Sequence, residues 1–516
     1  MMVKINALAE RSIQDTLNPV RPGGVNGSPF WNRFSIQFIY APAFEFSFVD
    51  KASAYLFSAT DRYGIIHSFT AESPQAALSP IWRELPTGPV FLTVSALDPE
   101  GKTIGCAGKR TFYRGAPFTN TCPPKKYSYA EGIKKGSEYI FNMNAVQGLA
   151  DGKLDPEYLL FCYPSKMLSR IITEMIYYSQ LEPSRKERAL KIACGAAEHL
   201  METAIPAGQP LEYLPLTYEG VNGTAKELGG TIMMLYPAHV GSAMLQLYAV
   251  IGEKKFLDYV IRIGEQYLRL QQPNGSWYLV YWIESGQPKV ENYCLGTEIL
   301  QFLEQLSDVT GEAKYRLAAE KFIPHMKMVM ESFNWEGQFE DSKPQAIPYW
   351  NLTKHNATSA YLYMCAKYPD DKALIRGARE VQRFAEDQFI IWEQPGWVEQ
   401  YDMTSGNEKD LESCKWGWHR YQTPCVLEQY FCYVPVNASS AKMIRYYLMM
   451  YDLEKDPLDL AKARALGDGI IMIQGKDGRI STWMNPDSPL NNDWINCDIV
   501  SIEALRLLAE YDSVIL

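Results

Sequence analysis

The sequence predicts a multidomain α and β molecule, an Ig/fibronectin-III-like β-sandwich followed by an (α/α)6 toroid. Three observations carry this reading. A chain of 516 residues is too long for a single core. Residues 30–118 hold short segments in which apolar and polar residues alternate, the pattern of half-buried strands. From about residue 130 to the C-terminus, a glycine-marked turn followed by a helical hairpin recurs about six times. Its marks are Asp151-Gly152, Glu219-Gly220, Asn274-Gly275-Ser276-Trp277, Trp335-Glu336-Gly337, Pro395-Gly396-Trp397 and Asp477-Gly478, spaced by roughly 55 to 80 residues. That spacing leaves room for two helices and a long loop. Six such hairpins close into a ring that gathers its loops at one end.

The expected divisions are an N-terminal extension over 1–29, the sandwich over 30–118, a linker over 119–128 and the toroid over 129–516. In the sandwich, 34–38 and 44–48 alternate Phe and Ile with polar residues, and 54–57 and 90–94 are rich in β-formers. Asp98-Pro99-Glu100-Gly101 turns the chain into a further strand at 103–105. In the toroid, helical periodicity predicts helices over 133–143, 166–179, 187–202, 244–251, 256–270, 297–306, 315–330, 357–366, 373–389, 441–451, 458–473 and 499–511. An outer helix ends, a Gly turn and a polar, aromatic loop follow, and an inner helix begins. Gln271-Gln272-Pro273-Asn274-Gly275 and Gln474-Gly475-Lys476-Asp477-Gly478 share this grammar.

Bulk properties narrow the function. A net charge of −10 argues against a nucleic-acid binder, which needs a basic footprint. The ten Cys include no C-x-x-C pair, so no zinc ribbon or redox motif is readable. The N-terminus lacks a secretory apolar run, and no segment has the length and apolarity of a membrane span. The expectation is a cytoplasmic protein, or a periplasmic one if a signal sequence has been removed. No nucleotide fingerprint, phosphate loop, H-E-x-x-H, EF-hand loop or G-x-S-x-G elbow occurs, so neither a cofactor nor a metal is expected. The 12 Trp and 33 Tyr suit a large core, and equally a cleft that stacks sugar rings.

The Gln-x-x-x-Gly turns, the stretch 417–430 (Gly-Trp-His-Arg-Tyr-Gln-Thr-Pro-Cys-Val-Leu-Glu-Gln-Tyr) and 493–498 (Asp-Trp-Ile-Asn-Cys-Asp) resemble the six-hairpin toroid superfamily of carbohydrate-active enzymes. That group includes glycosidases, unsaturated glucuronyl hydrolases, polysaccharide lyases and sugar epimerases. The sequence looks most like a glucuronidase-like glycoside hydrolase family of bacteria. The resemblance covers about three quarters of the chain and implies an oligo- or polysaccharide substrate, with no nucleic-acid or membrane partner. It carries over no catalytic motif.

Candidate residues are those on loops entering the inner helices. Tyr218, Glu219 and His239 surround the second, and Tyr293 precedes the third. Asp341, Tyr349, His355 and Asn356 precede the fourth. Trp397, Glu399, Tyr401, Trp418, His419 and Arg420 surround the fifth, and Trp483, Trp494, Asn496 and Asp498 the sixth. Glycoside hydrolysis needs two carboxyl groups, one kept protonated. Glu399, set between aromatics, is the expected acid, with Asp341 or Asp498 as its partner; Asp498 equally suits an N-terminal dipole role. Arg420 could clamp a uronate carboxylate or make a structural ion pair. The expectation is an exo-acting glycoside hydrolase on a uronic-acid-containing glycan. The alternatives are a lyase or epimerase built on His355, Asn356, His419 and Tyr401, and a non-catalytic glycan-binding protein.

Overall fold

The computed structural model describes residues 2–20, 30–31, 35–119, 125–220, 226, 228–335, 352–393, 396–398, 419–421, 424–430, 432–484 and 494–514. Side chains are described for these except residues 2–6, 30, 396–398, 419–421 and 432–434.

The chain opens with helix α1 (Met2–Asp15), then strands β1 (Phe30–Trp31), β2 (Gln37–Phe38), β3 (Ala43–Phe44), β4 (Ala54–Thr60) and β5 (Ile66–Ala71). A short helical turn, α2 (Ser79–Trp82), precedes β6 (Gly88–Leu97) and β7 (Thr103–Arg114). Five of these strands form one sheet in the order β2-β7-β6-β4-β5, antiparallel except where β2 runs parallel to β7, and β1 pairs parallel with β3 in a separate two-stranded sheet. Alternation along β4 and β6 turns Tyr55, Phe57, Leu92 and Val94 inward. Phe38 and Trp82 cover this face, each meeting Phe112, with ring centroids 5.7 and 6.0 Å apart. The expected sandwich of two sheets is therefore not what the described residues form. The two-residue pair β1–β3, a loop segment and α2 take the place of a second large sheet, and the far face leaves Phe91 and Ile66 exposed.

Among the described residues, twelve long helices follow in six inner–outer pairs. The inner helices are α5 (Pro164–Leu181), α7 (Leu235–Ile251), α9 (Thr297–Thr310), α11 (Lys354–Lys367), α13 (Asn437–Glu454) and α15 (Ile495–Ala509). The outer helices are α3 (Tyr129–Asn142), α6 (Lys186–Glu202), α8 (Lys254–Leu270), α10 (Ala313–Ser332), α12 (Lys372–Phe389) and α14 (Pro457–Ile473); the short α4 (Asn144–Gly148) follows α3. Each inner helix touches the next, and α15 returns to α5, so the inner ring is closed. Outer helix α3 pairs with α15, which joins the two ends of the domain. Links of two to four residues run from inner to outer helix, whereas long loops run from outer to inner. All the long loops therefore reach the same end of the ring, where the inner helices begin.

The recurrent turn has a physical basis. Gln271 donates from Nε2 to Gly275 O (2.8 Å) and to Ala318 O of the next outer helix (2.8 Å). Gln474 repeats this with Gly478 O (2.7 Å) and Gly132 O (3.0 Å). Gly275 and Gly478 sit at φ of +84° and +97°, and a Cβ on either would strike a backbone carbonyl, that of Lys321 or Lys135. The Gln-x-x-x-Gly motif thus staples one outer helix to the next.

The sheet docks on the end of α12. Ile39 N and Tyr40 N donate to Asp387 Oδ1 at 2.6 and 2.7 Å, and Gln37 and Gln388 exchange two amide–carbonyl bonds of 3.1 Å. Helix α1 is tied to α14 by the Arg11–Asp456 ion pair (2.6 Å).

Candidate active site at the loop end of the ring

The starts of the inner helices enclose a cavity of about 340 Å3 on the ring axis. Its size is that of a small-molecule site. A larger hollow of about 700 Å3 beside α3 lies outside the ring and is shallow and open.

The chemistry of the cavity is organised around Glu428. This residue lies on the strand Cys425–Gln429, and Lys354, at the first turn of α11, fixes that strand by donating to Leu427 O (2.5 Å) and Glu428 O (2.6 Å). The Glu428 carboxylate accepts from His355 Nε2 at 2.6 Å and, through its other oxygen, from Ser439 Oγ. On the far side of the ring, Lys442 Nζ meets His355 Nδ1 at 2.8 Å. The result is a chain Lys442–His355–Glu428 in which the imidazole bridges an ammonium and a carboxylate.

Electrostatics follow from this arrangement. Burial alone would raise Glu428, but His355, Lys354 and Lys442 hold it well below the usual carboxylate range, so it is ionised. Burial, with the positive charge of Lys442, lowers His355 to about 3, which makes it a neutral imidazole donating from Nε2. Burial also lowers Lys442, against the pull of Glu428 and Glu298. His239 of α7 is lowered to about 3 by burial and then by Arg170, Lys442 and Lys166. Two neutral histidines therefore share the cavity with three basic side chains, Lys166, Arg170 and Lys442, and two carboxylates, Glu298 and Glu428.

Aromatics complete the wall. Trp494 is held between the Tyr163 ring (centroids 5.3 Å apart) and the Lys166 ammonium (4.8 Å from its centroid). Trp483 and Tyr236 also face the space.

Six of the residues expected from the sequence meet here: His239, His355, Asn356, Trp483, Trp494 and Asn496. Four lie outside it. Glu219 is paired with His199 of outer helix α6 (3.3 Å), and Tyr293 stacks on Tyr278 (4.8 Å). Tyr218 is buried against Tyr163 (5.9 Å). Asp498 is buried in the first turn of α15, where a carboxylate suits the helix dipole. Glu399, Asp341, Tyr349, Tyr401 and Trp418 fall outside the described residues. Of Trp397, His419 and Arg420 only the backbone is described, in the antiparallel pair Gly396–Val398 and His419–Tyr421. Glu428, Lys442, Lys166, Arg170, Glu298 and Tyr236 are absent from the sequence-based candidates, although Glu428 stands inside the 417–430 stretch. Among the described residues no cluster of His, Cys, Asp or Glu is arranged to hold a metal ion, and no helix is long and apolar enough to cross a membrane.

No family model matches the chain, and no curated protein matches it. Solved structures do. D-mannose isomerase superposes with a TM-score of 0.50 at 13% identity, over 74% of this chain and 97% of that one. The shared fold is the (α/α)6 toroid. A family 76 glycoside hydrolase from a bovine Bacteroides thetaiotaomicron strain gives 0.46 at 11% identity, over 89% of this chain and 93% of that one. Cellobiose 2-epimerase from Spirochaeta thermophila DSM 6192 gives 0.46 at 14% identity, over 67% and 86%. The resemblance read from the Gly turns thus holds at the level of fold.

Proposed function

We propose that the protein is a carbohydrate-active enzyme that binds an anionic sugar such as a uronate in the loop-end cavity and transfers a proton on it. The observation that carries this reading is the placement of two neutral imidazoles, His239 and His355, among Lys166, Arg170 and Lys442. Removing a proton from carbon beside a carboxyl or carbonyl group needs a base and nearby positive charge for the anion that forms. His239 is the proton carrier: it makes no hydrogen bond among the described residues and faces the cavity. His355 is the positioning residue, since both of its nitrogens are engaged by Glu428 and Lys442. Among the described residues, three cations against two carboxylates leave the cavity anion-seeking. A bound carboxylate offsets the charges that depress His239 and so raises its basicity when substrate is present. Trp483 and Trp494 offer the apolar face of a sugar its contact.

A hydrolase acting on a uronide is the second reading, favoured by the presence of two carboxylates, Glu298 and Glu428, on one cavity. Product analysis separates the two. A panel of uronic acids, uronides and neutral aldoses is incubated with the protein and followed for interconverted sugar, for ultraviolet-absorbing unsaturated product and for new reducing ends. Proton transfer predicts one of the first two, on anionic sugars only. It also predicts a loss of about 100-fold or more in kcat for His239→Asn, with unchanged circular dichroism. New reducing ends without any unsaturated product, at full activity in that variant, would overturn it in favour of hydrolysis.

A further inference from the structure

Below the loop-end cavity, a second cavity of about 560 Å3 occupies the ring axis. The two adjoin, sharing Arg170, His239, Glu298, Ser359, Lys442 and Val500. The upper one is built from the first turns of the inner helices. The lower one is built from residues farther along them, reaching Gln180 on α5, Gln246 on α7 and Gln305 on α9. At 1.5 Å rise per residue, Arg170 to Gln180 spans about 15 Å of the axis. The lower cavity thus approaches the end of the ring opposite the loops.

Its charges do not balance. Arg170, Lys442, Arg445 and Arg506 face Glu298 and Glu503. Glu503 serves two guanidiniums at once, Arg170 at 3.5 Å and Arg445 at 3.6 Å, and Arg506 reaches Glu174 at 3.4 Å. Strong charge-assisted contacts run at about 2.7–2.9 Å, so these pairs are loose. Among the described residues neither the Arg170 nor the Arg445 side chain completes a hydrogen bond, and both line the cavity. Burial also pushes Glu174 up to about 7, so near neutral pH it offsets Arg506 only in part. Arginine forks match the planar or tetrahedral oxygens of carboxylate and phosphate. The glutamines toward the far end supply amide donors and acceptors of the kind that read hydroxyl groups.

We propose that the lower axial cavity is a second binding site, for a small oxyanion held by Arg170, Arg445 and Arg506, either free or carried on a sugar. The site is independent of the reaction performed above it. Through Arg170 and Lys442, an anion bound below weakens the field that attracts an anion above, so occupancy of the two is antagonistic.

The test is phosphate binding to the full chain, followed by titration calorimetry and by thermal shift, without reference to turnover. Arg445→Gln should weaken phosphate binding about tenfold or more, and Glu503→Gln, which removes the competing carboxylate, should tighten it about tenfold. Lys166→Gln, confined to the upper cavity, should leave this event unchanged. If Arg445→Gln does not fold, Glu503→Gln decides, because a merely structural Glu503 predicts weaker binding or none. Glucose 6-phosphate binding more tightly than phosphate identifies a sugar-borne oxyanion, and the reverse a free ion; both keep the site. Absence of phosphate binding, binding unmoved by Arg445→Gln and Glu503→Gln, or binding lost only in Lys166→Gln would overturn the proposal.

Discussion

His355 and His239 lie in one cavity, yet their surroundings give them different work. The first is locked between Glu428 and Lys442, and the second is kept neutral by burial and then by the cations around it. Glu428 is the residue on which the cluster depends. Replacing it by Gln leaves the buried Lys354 and the half-buried Lys442 short of counter-charge, and the loss of one partner from a buried ion network costs about 3–5 kcal/mol. Urea unfolding at pH 7 should show Glu428→Gln destabilised on that scale. Because the folded carboxyl lies well below its unfolded value, the difference from wild type should persist above about pH 4.5 and shrink only as the pH falls through the depressed value. The histidines, Asn356 and Asn496 could be found in the sequence because polar residues at helix starts stand out beside Gly turns. Lys442, Arg170 and Glu298 could not. A lone charge on a helix normally marks the solvent side, but an inner helix of a ring has one face against its outer partner and another on the axis, and these charges face the axis.

At the scale of elements, sequence periodicity finds all twelve ring helices, and the Gly turns find the staples between outer helices. What it misses is where the inner helices start. α7 begins at Leu235 rather than 244, α11 at Lys354 rather than 357, and α13 at Asn437 rather than 441. The first turns of α11 and α13 carry polar and small residues, His355, Asn356 and Ala438, that line the cavity, and the start of α7 holds Pro237 and His239 among apolar residues, so helical periodicity is read only later. The candidate residues therefore sit on helices, which hold them more firmly than loops do. The one-sided sheet was equally opaque, because alternation shows that one strand face is buried and does not say what covers it. The staples give a direct test. Gln271→Ala removes two buried-side hydrogen bonds and should cost about 1–2 kcal/mol. Gly275→Ala combines positive φ with a collision at Lys321 O and should cost more, about 2–3 kcal/mol. Guanidinium denaturation of both variants checks the order.

At the scale of the whole molecule, the ring is a closed wall with a charged axis, and the sheet is latched to it through Asp387. Charge inside the ring makes its stability depend on pH. Glu174 is buried on α5 and its carboxyl is raised by desolvation to about 7, above the ordinary unfolded value. Its contribution is therefore full below about pH 4 and is lost as pH rises through about 7. Wild type should lose on the order of 3 kcal/mol more than Glu174→Gln between pH 4 and pH 8, read from paired denaturation curves. The central claim is that the upper axial cavity moves a proton on an anionic sugar, and solvent isotope exchange tests it most directly. In D2O, with the uronate or uronide the protein turns over, proton NMR should show one carbon-bound hydrogen of the substrate lost, replaced by deuterium in an interconverted sugar or absent from an unsaturated product. His239→Asn should abolish that loss. Turnover that leaves every carbon-bound hydrogen in place, or loss that persists in His239→Asn, would contradict the account.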